Sequence, residues 1–225
     1  MHSVLVLLNL IANTTAMKMF YKVQLPASQP VASYVHQCKL YIQQRAGKFK
    51  FMTSEAFISL FSFEAEVADE QQLIKALRKA AAYLDTFDVS LNGFSHFPQS
   101  RTLFIKVENA RTLRERNRLF HDAFLSITKD MGIDISNMTF TDHPHMTIGA
   151  DFESKIYGSL YNAFVQHRYH QDFRAESALL VKYVGRGKNK VLSKAPFQKV
   201  SRHRPPFIEA PTASNEKGQM TLEFN

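Results

Sequence analysis

His143-Pro144-His145-Met146-Thr147-Ile148 is the stretch whose reading decides the fold. Residues two apart on a strand share a face. His145 and Thr147 therefore point one way and Met146 and Ile148 the other, and His143 joins the first pair if the strand starts early enough. Pro144 limits pairing at the strand's start. An imidazole beside a hydroxyl suits phosphoryl chemistry, because histidine exchanges a proton near neutral pH while the hydroxyl donates to a non-bridging phosphate oxygen. Taken alone, the pair does not separate a phosphate site from a structural coincidence.

Outward from this strand, the order of elements repeats. In the first half the spacing predicts a strand at Phe20 to Leu25, a helix from about Pro30 to Arg45, and a strand at Ala56 to Phe63. A helix from Asp69 to Leu84 follows, with Asp69 as N-cap, and then a strand at Asp88 to Phe94. The second half predicts a strand at Thr102 to Val107, a helix from about Thr112 to Met131, a strand at His145 to Ala150, a helix from about Glu153 to Val165 and a strand at Phe173 to Val184. Corresponding elements lie roughly 80 to 90 residues apart, so the chain reads as an internal duplication. A final strand, Val191 to Val200, pairs back across the glycine-bearing turn Gly185-Arg186-Gly187-Lys188-Asn189.

With 225 residues, 45% hydrophobic, the chain can bury one sizeable core. Cys38 is the only cysteine, which excludes an intrachain disulfide and a thiolate-rich zinc site and favours a reducing, cytoplasmic compartment. The apolar run Val4 to Ala12 is too short to span a bilayer. No Lys or Arg precedes it, so residues 1–16 read as a signal peptide or as an extension upstream of Met17 or Met19. The expected organisation is this extension, a domain over 17–201 with halves at about 17–98 and 99–201, and a disordered tail over 202–225. The net charge is +8. Eight basic residues (Lys182, Arg186, Lys188, Lys190, Lys194, Lys199, Arg202, Arg204) fall in one run without an acid, and the remaining 20 Lys and Arg equal the 20 Asp and Glu. Such a stripe attracts phosphates regardless of sequence, or serves as a solvated hairpin and tail.

The strand that matches His145 to Ala150 in the first half brings a resemblance into view. His145-Met146-Thr147, set in Pro-His-Met-Thr-Ile, resembles the second His-x-Thr/Ser motif of the two-histidine phosphoesterases, the LigT-like group of RNA 2',3'-cyclic phosphodiesterases and 2'-5' RNA ligases. Phe97-Pro98 with Arg101-Thr102-Leu103-Phe104, and Lys190-Val191-Leu192 to Pro196-Phe197, resemble segments of the same family, and the likeness covers about Met19 to Val200. At the first motif the chain departs. Phe57-Ile58-Ser59-Leu60 keeps the apolar frame and the hydroxyl but puts phenylalanine at the histidine position.

The resemblance implies an α+β bilobal fold whose two pseudo-symmetric halves, with antiparallel sheets, frame a central cleft. In the family two imidazoles flank the scissile phosphate as base and acid. His145, Thr147 and Ser59 are then the catalytic candidates, His145 as acid or base and the two hydroxyls as holders of phosphate oxygens. The ligand implied is an RNA or nucleotide phosphate, with no membrane and no cofactor. Phe57 cannot move a proton, and a missing acid or base costs about 10²- to 10⁴-fold in rate. Phe57 either stacks on an unpaired base or fills an apolar hole. Arg101 either grips phosphate bidentately or merely opens a strand, and Tyr21 either lines the cleft or sits in the core. His143 is the remaining binding candidate. His96 is placed on a loop after the first half's last strand, from which it could reach the cleft. A metal at Asp142, His143 and His145, or at His167 and His170 on one helical face, is not expected, because no further ligands at the right spacing complete a shell. No Walker or Rossmann glycine pattern supports an ATP-driven ligase. Together these readings leave a two-histidine-phosphoesterase-like protein with altered catalysis, or a binding module that keeps the cleft.

Overall fold

A computed structural model describes residues 17–185 and 189–198. Residues 1–16, the tail from 202 and five members of the basic run (Arg186, Lys188, Lys199, Arg202 and Arg204) lie outside them. The first half holds β1 (Lys18–Pro26), α1 (Gln29–Ala46), β2 (Phe57–Glu66), a short 3-10 turn (Val67–Asp69), α2 (Glu70–Ala81) and β3 (Phe87–Phe97). The second half holds β4 (Thr102–Val107), α3 (Ala110–Asp130), β5 (Ser136–Phe140), β6 (His145–Gly149), α4 (Ser154–Val165), β7 (His170–Ala175), β8 (Ser177–Tyr183) and β9 (Asn189–Pro196).

Local chemistry explains the helix limits. Pro30 stands in the first turn of α1, where a missing N–H costs nothing, and Gly47, with φ of 68°, ends the helix. Val31, Val35, Cys38 and Ile42 recur at helical spacing and form its buried stripe. In α2 the inner face is Leu73, Ala76, Leu77, Ala80 and Ala81, as the spacing predicts. Asp69 stands at the N-cap position of this helix, as expected, but it also ends the 3-10 turn and its side chain makes no cap hydrogen bond.

The strands join in the order β7-β3-β4-β6-β2-β1-β8-β9, with β5 added beside β2. All the pairings are antiparallel. Each half contributes two neighbouring strands to its own wing, β1 with β2 and β4 with β6. The third strands are exchanged: β3 of the first half pairs with β4, and β8 of the second half pairs with β1. The wings meet where β2 touches β6, through the pair Ile58 and Met146. The mixed helix and sheet architecture expected from the sequence is therefore present, with both antiparallel wings linked into one curled sheet.

Three local expectations are corrected. The strand predicted over Phe173 to Val184 is two strands, β7 on β3 and β8 on β1, parted at Glu176, whose carbonyl accepts from Phe197 N. A continuous apolar run cannot reveal that its two ends serve different wings. β5 is an addition to the expected order, because five residues alternating between intermediate and exposed leave little hydrophobic signal. β3 runs three residues past Phe94, so His96 is a strand residue and not a loop residue.

The helices cover one face of the sheet, and β2 shows how the chain keeps its aromatic residues on that side. Gln24 pairs with Ser59 and Val23 with Phe61, so Leu60 is an extra, bulged residue. The bulge reverses the alternation. Phe57 and Ser59 face away from the helices, while Phe61 and Phe63 turn inward to pack on Phe120 and Phe124 of α3 at ring separations of 5.3 to 5.8 Å. The bulged carbonyl is satisfied twice, by Thr141 N at 2.9 Å and by buried Asn117 Nδ2 at 2.8 Å. Each aromatic side chain buried here contributes on the order of 1.5–3 kcal/mol.

Candidate functional site

On the sheet face opposite the helices, β6 carries His145 and Thr147, both half-buried, while Met146 and Ile148 are fully buried toward the helices. The register Ile58 to Met146, continued one residue in each direction, sets Ser59 across from His145 and Phe57 across from Thr147. The two hydroxyls therefore do not face one another. Each stands opposite the partner strand's first motif position. Phe57 is half-buried and makes no ring contact among the described residues.

His145 is held in one tautomer. Its Nδ1 lies 2.7 Å from the carbonyl oxygen of His143 and must donate to it, which leaves Nε2 for chemistry. Its ring lies 5.0 Å from that of Phe97 and 4.9 Å from that of Phe104. Burial in this aromatic notch lowers its pKa below 6.5; the bond to His143 opposes the shift, and the neighbouring His143 ring adds to it. At neutral pH His145 is thus an uncharged imidazole with a bare Nε2, the form that accepts a proton.

The remaining sequence candidates are placed as follows. His143 is exposed in a bend before β6 begins, so it contributes its backbone carbonyl and not a third side chain on the strand's face. Tyr21 lies on the helix side of β1, fully buried, with its hydroxyl donating to Glu70 Oε1 at 3.0 Å; it does not line the cleft. Arg101, with φ of 44°, sits in the turn between β3 and β4; one guanidinium nitrogen donates to Ser154 Oγ at 3.1 Å, and its buried Nε has no partner. That position is past the Thr147 end of β6, beside Asp151, whose N–H is bonded to Ser100 O. His96 points to the helix side, its Nδ1 2.5 Å from Tyr157 OH and its ring stacked on Tyr161, so it cannot reach His145. His167 follows the end of α4 and His170 begins β7, so they share no helical face. Among the described residues no three His, Cys, Asp or Glu side chains gather to hold a metal ion.

Three members of the basic run are among the described residues. Lys182 turns to the helix side and pairs with Glu70, Lys190 sits opposite it, and Lys194 is opposite Leu179 on the cleft side. Residues that sequence reasoning passed over contribute more. Lys22 and Gln24 alternate with buried Tyr21, Val23 and Leu25, and so face the cleft, with Gln24 directly beside Ser59. Gln24 is buried with its Nε2 unpartnered. Lys106 lies opposite His145 on β4, its stem folded over Gly93. The signal that could have found them was present: a polar residue at every second position of an otherwise apolar strand. Two surface pockets, one around Tyr83 and Met131 and one around Lys39 and Thr53, lie away from this set.

Comparison with known proteins agrees with the geometry. Residues 28–187 match the family described as the 2'-5' RNA ligase superfamily. An inferred phosphoesterase of Geobacillus sp. (strain WCH70) is 31% identical over 109 residues, which are 48% of this chain and 58% of that protein. The chain thus spans little more than half the length of that curated relative, and 54% of a second one from Geobacillus kaustophilus. The crystal structure of E. coli LigT complexed with 3'-AMP superposes with a TM-score of 0.54 at 14% identity, covering 81% of this chain and 100% of that one. The protein TT0787 of Thermus thermophilus does so with a TM-score of 0.55 at 19% identity, covering 82% and 100%. At these identities the structural likeness speaks for the fold alone.

Proposed function

The chain belongs to the 2'-5' RNA ligase superfamily, and on that premise we propose that its cleft takes the phosphate of an RNA or nucleotide end, a 2',3'-cyclic phosphate or a 2'-5' phosphodiester, with catalysis reduced by Phe57. The observation that carries this reading is the register that sets His145 across from Ser59 and Thr147 across from Phe57. A phosphate seated between β2 and β6 meets a hydroxyl from each strand and an imidazole from one. Neutral His145, its Nδ1 committed to His143 O, takes a proton at Nε2 from the attacking water or hydroxyl. Thr147 and Ser59 donate to non-bridging oxygens. E. coli LigT has been crystallised with 3'-AMP and with ATP, which fits a cleft of this type holding nucleotide phosphates. The working unit is residues 17–201, and Cys38 as the only cysteine suits the cytoplasm.

A second reading rests on Phe57 itself. A half-exposed aromatic at the histidine position is suited to stacking on a base, as expected of a module that binds an RNA terminus without cleaving it. Hydrolysis of a 2',3'-cyclic nucleotide by the wild type, His145→Ala and Phe57→His separates the two. Wild-type turnover that vanishes in His145→Ala removes the binding-only reading. No wild-type turnover, with turnover gained in Phe57→His, removes the enzyme reading. Among the described residues no helix is long and apolar enough to cross a membrane.

A further inference from the structure

The sheet face that carries His145 does not stop at Ser59. In the row of the motif, Ser59 is followed by Gln24 on β1, Leu179 on β8 and Lys194 on β9. One pair of residues further along the strands, about 7 Å away, the next row runs from Ser62 through Lys22 and Val181 to Val191. Beyond it Glu64 is opposite Phe20, and the register of β1 on β8, continued by one residue, sets Tyr183 beside Phe20. These side chains lie on the cleft face because their sequence neighbours do not: Tyr21 and Lys182 both reach Glu70 on the helix side.

This continuation of the cleft offers water an apolar surface. Val191 is 51% exposed and Tyr183 40%, and Phe20 is half-buried. Exposed apolar groups gathered in one place mark a binding surface. Lys22 stands among them with Nζ 5.5 Å from the Phe20 ring, and it has neither a hydrogen bond nor an ion pair among the described residues. Lys194 adds an exposed cation. The acid on these rows, Glu64, lies at the far end and is bonded to Asn137 Nδ2 at 2.8 Å. Protein interfaces are depleted in lysine. Aromatic rings interleaved with ammonium groups suit a single-stranded nucleic acid, whose bases stack on the rings and whose phosphates meet the cations.

We propose that this surface holds the nucleotides next to the terminal phosphate, with bases stacked on Tyr183 and Phe20 and a backbone phosphate on Lys22. The ligand is then a single-stranded RNA end and not a mononucleotide, which rests on the phosphate-end reading above. Continuity with the motif row sets the placement. A phosphate seated between β2 and β6 lies about 10 Å from the Cα of Lys22, within reach of the next nucleotide of an extended strand. At 5.5 Å the contact of Lys22 with Phe20 is weak, so the ammonium can turn to a phosphate while the ring takes a base. Glu64 closes the track, because its carboxylate repels a further phosphate.

Calorimetric titration with an RNA trinucleotide ending in a 3'-phosphate, and with the 3'-nucleotide alone, tests this. The wild type should bind the trinucleotide about tenfold or more tightly than the nucleotide. Tyr183→Ala should weaken the trinucleotide by about tenfold. Lys22→Gln should flatten the dependence of log affinity on log salt by about 0.7, and Lys22→Arg, which keeps the charge, should restore the slope. In the double variant Tyr183→Ala with Lys22→Gln the two ligands should bind alike, and its retained affinity for the nucleotide shows that the substituted strands still fold. Equal weakening of both ligands in the variants, or a trinucleotide affinity unchanged in the double variant, as a patch for a protein partner would give, overturns the assignment. Equal wild-type affinity for both ligands overturns it too but leaves the proposed function standing, whereas binding of neither removes both.

Discussion

β2 and β6 lie side by side at the middle of the sheet, each turning an apolar pair to the helices, Ile58 and Leu60 on one strand and Met146 and Ile148 on the other. Toward the cleft β6 shows an imidazole and a hydroxyl, and β2 a phenyl ring and a hydroxyl. Their surroundings differ as well. β6 gains a locked tautomer from the His143 carbonyl and an aromatic notch from Phe97 and Phe104. β2 gains a bulge at Leu60, a buried amide at Gln24 and, among the described residues, an ammonium without a carboxylate partner at Lys22. Two strands that pack alike on the helix side can thus present different chemistry on the other face, because packing on the helix side sets the strand's position and leaves the cleft side free to differ.

The largest way to break this asymmetry is to remove its active side. His145→Ala should cut cyclic nucleotide hydrolysis by about 10²- to 10⁴-fold, and a rate within about threefold of wild type would refute the role of β6. Restoring symmetry is the converse. Phe57→His should raise that rate, by about 10²-fold where the new imidazole acts as acid, and an unchanged rate would show that β2 no longer presents its first position to phosphate.

The pH profile sharpens the contrast further. In the proposed role His145 acts unprotonated and its pKa is lowered, so on the acid side kcat/KM should reach its plateau near 6.5 and fall about tenfold per unit of pH below the lowered value. A midpoint above 6.5 would contradict the burial argument. The sign for stability is the same: the unfolded chain binds the proton more readily, so folding stability attributable to this group is present above 6.5 and lost as pH falls toward the folded value.

Smaller effects test the scaffold of β2. Asn117→Ala deprives the Leu60 carbonyl of its buried amide donor and should cost about 1–3 kcal/mol in denaturant unfolding; no loss would mean that Thr141 alone satisfies the bulge. Tyr21→Phe removes the hydroxyl bonded to Glu70 and should cost about 0.5–1.5 kcal/mol, with hydrolysis unchanged, because this residue lies on the helix side. A fall in activity with stability intact would return Tyr21 to the cleft.

Much of this was legible in the chain. The 3.6 and 2 periodicities gave α1 to α4 and most strands to within a few residues, and the His145-Met146-Thr147 stretch pointed to the family. What escaped were features whose energy comes from partners distant in sequence. Glu176 divides a continuous apolar run because β3 and β1 wait on different wings. His96 falls on the helix side because β3 continues past Phe94 along β4.

By itself, then, the sequence determined the order of elements and the residues on the two central strands, an imidazole at His145 and a phenyl ring at Phe57, because these are properties of residue identity and spacing along the chain. Only the tertiary structure decided that Ser59 stands across from His145, that Tyr21 belongs to the core and that Lys22 and Gln24 belong to the cleft. Strand register and a one-residue bulge choose which face each side chain takes, and both are set by pairings between strands that the linear chain does not display.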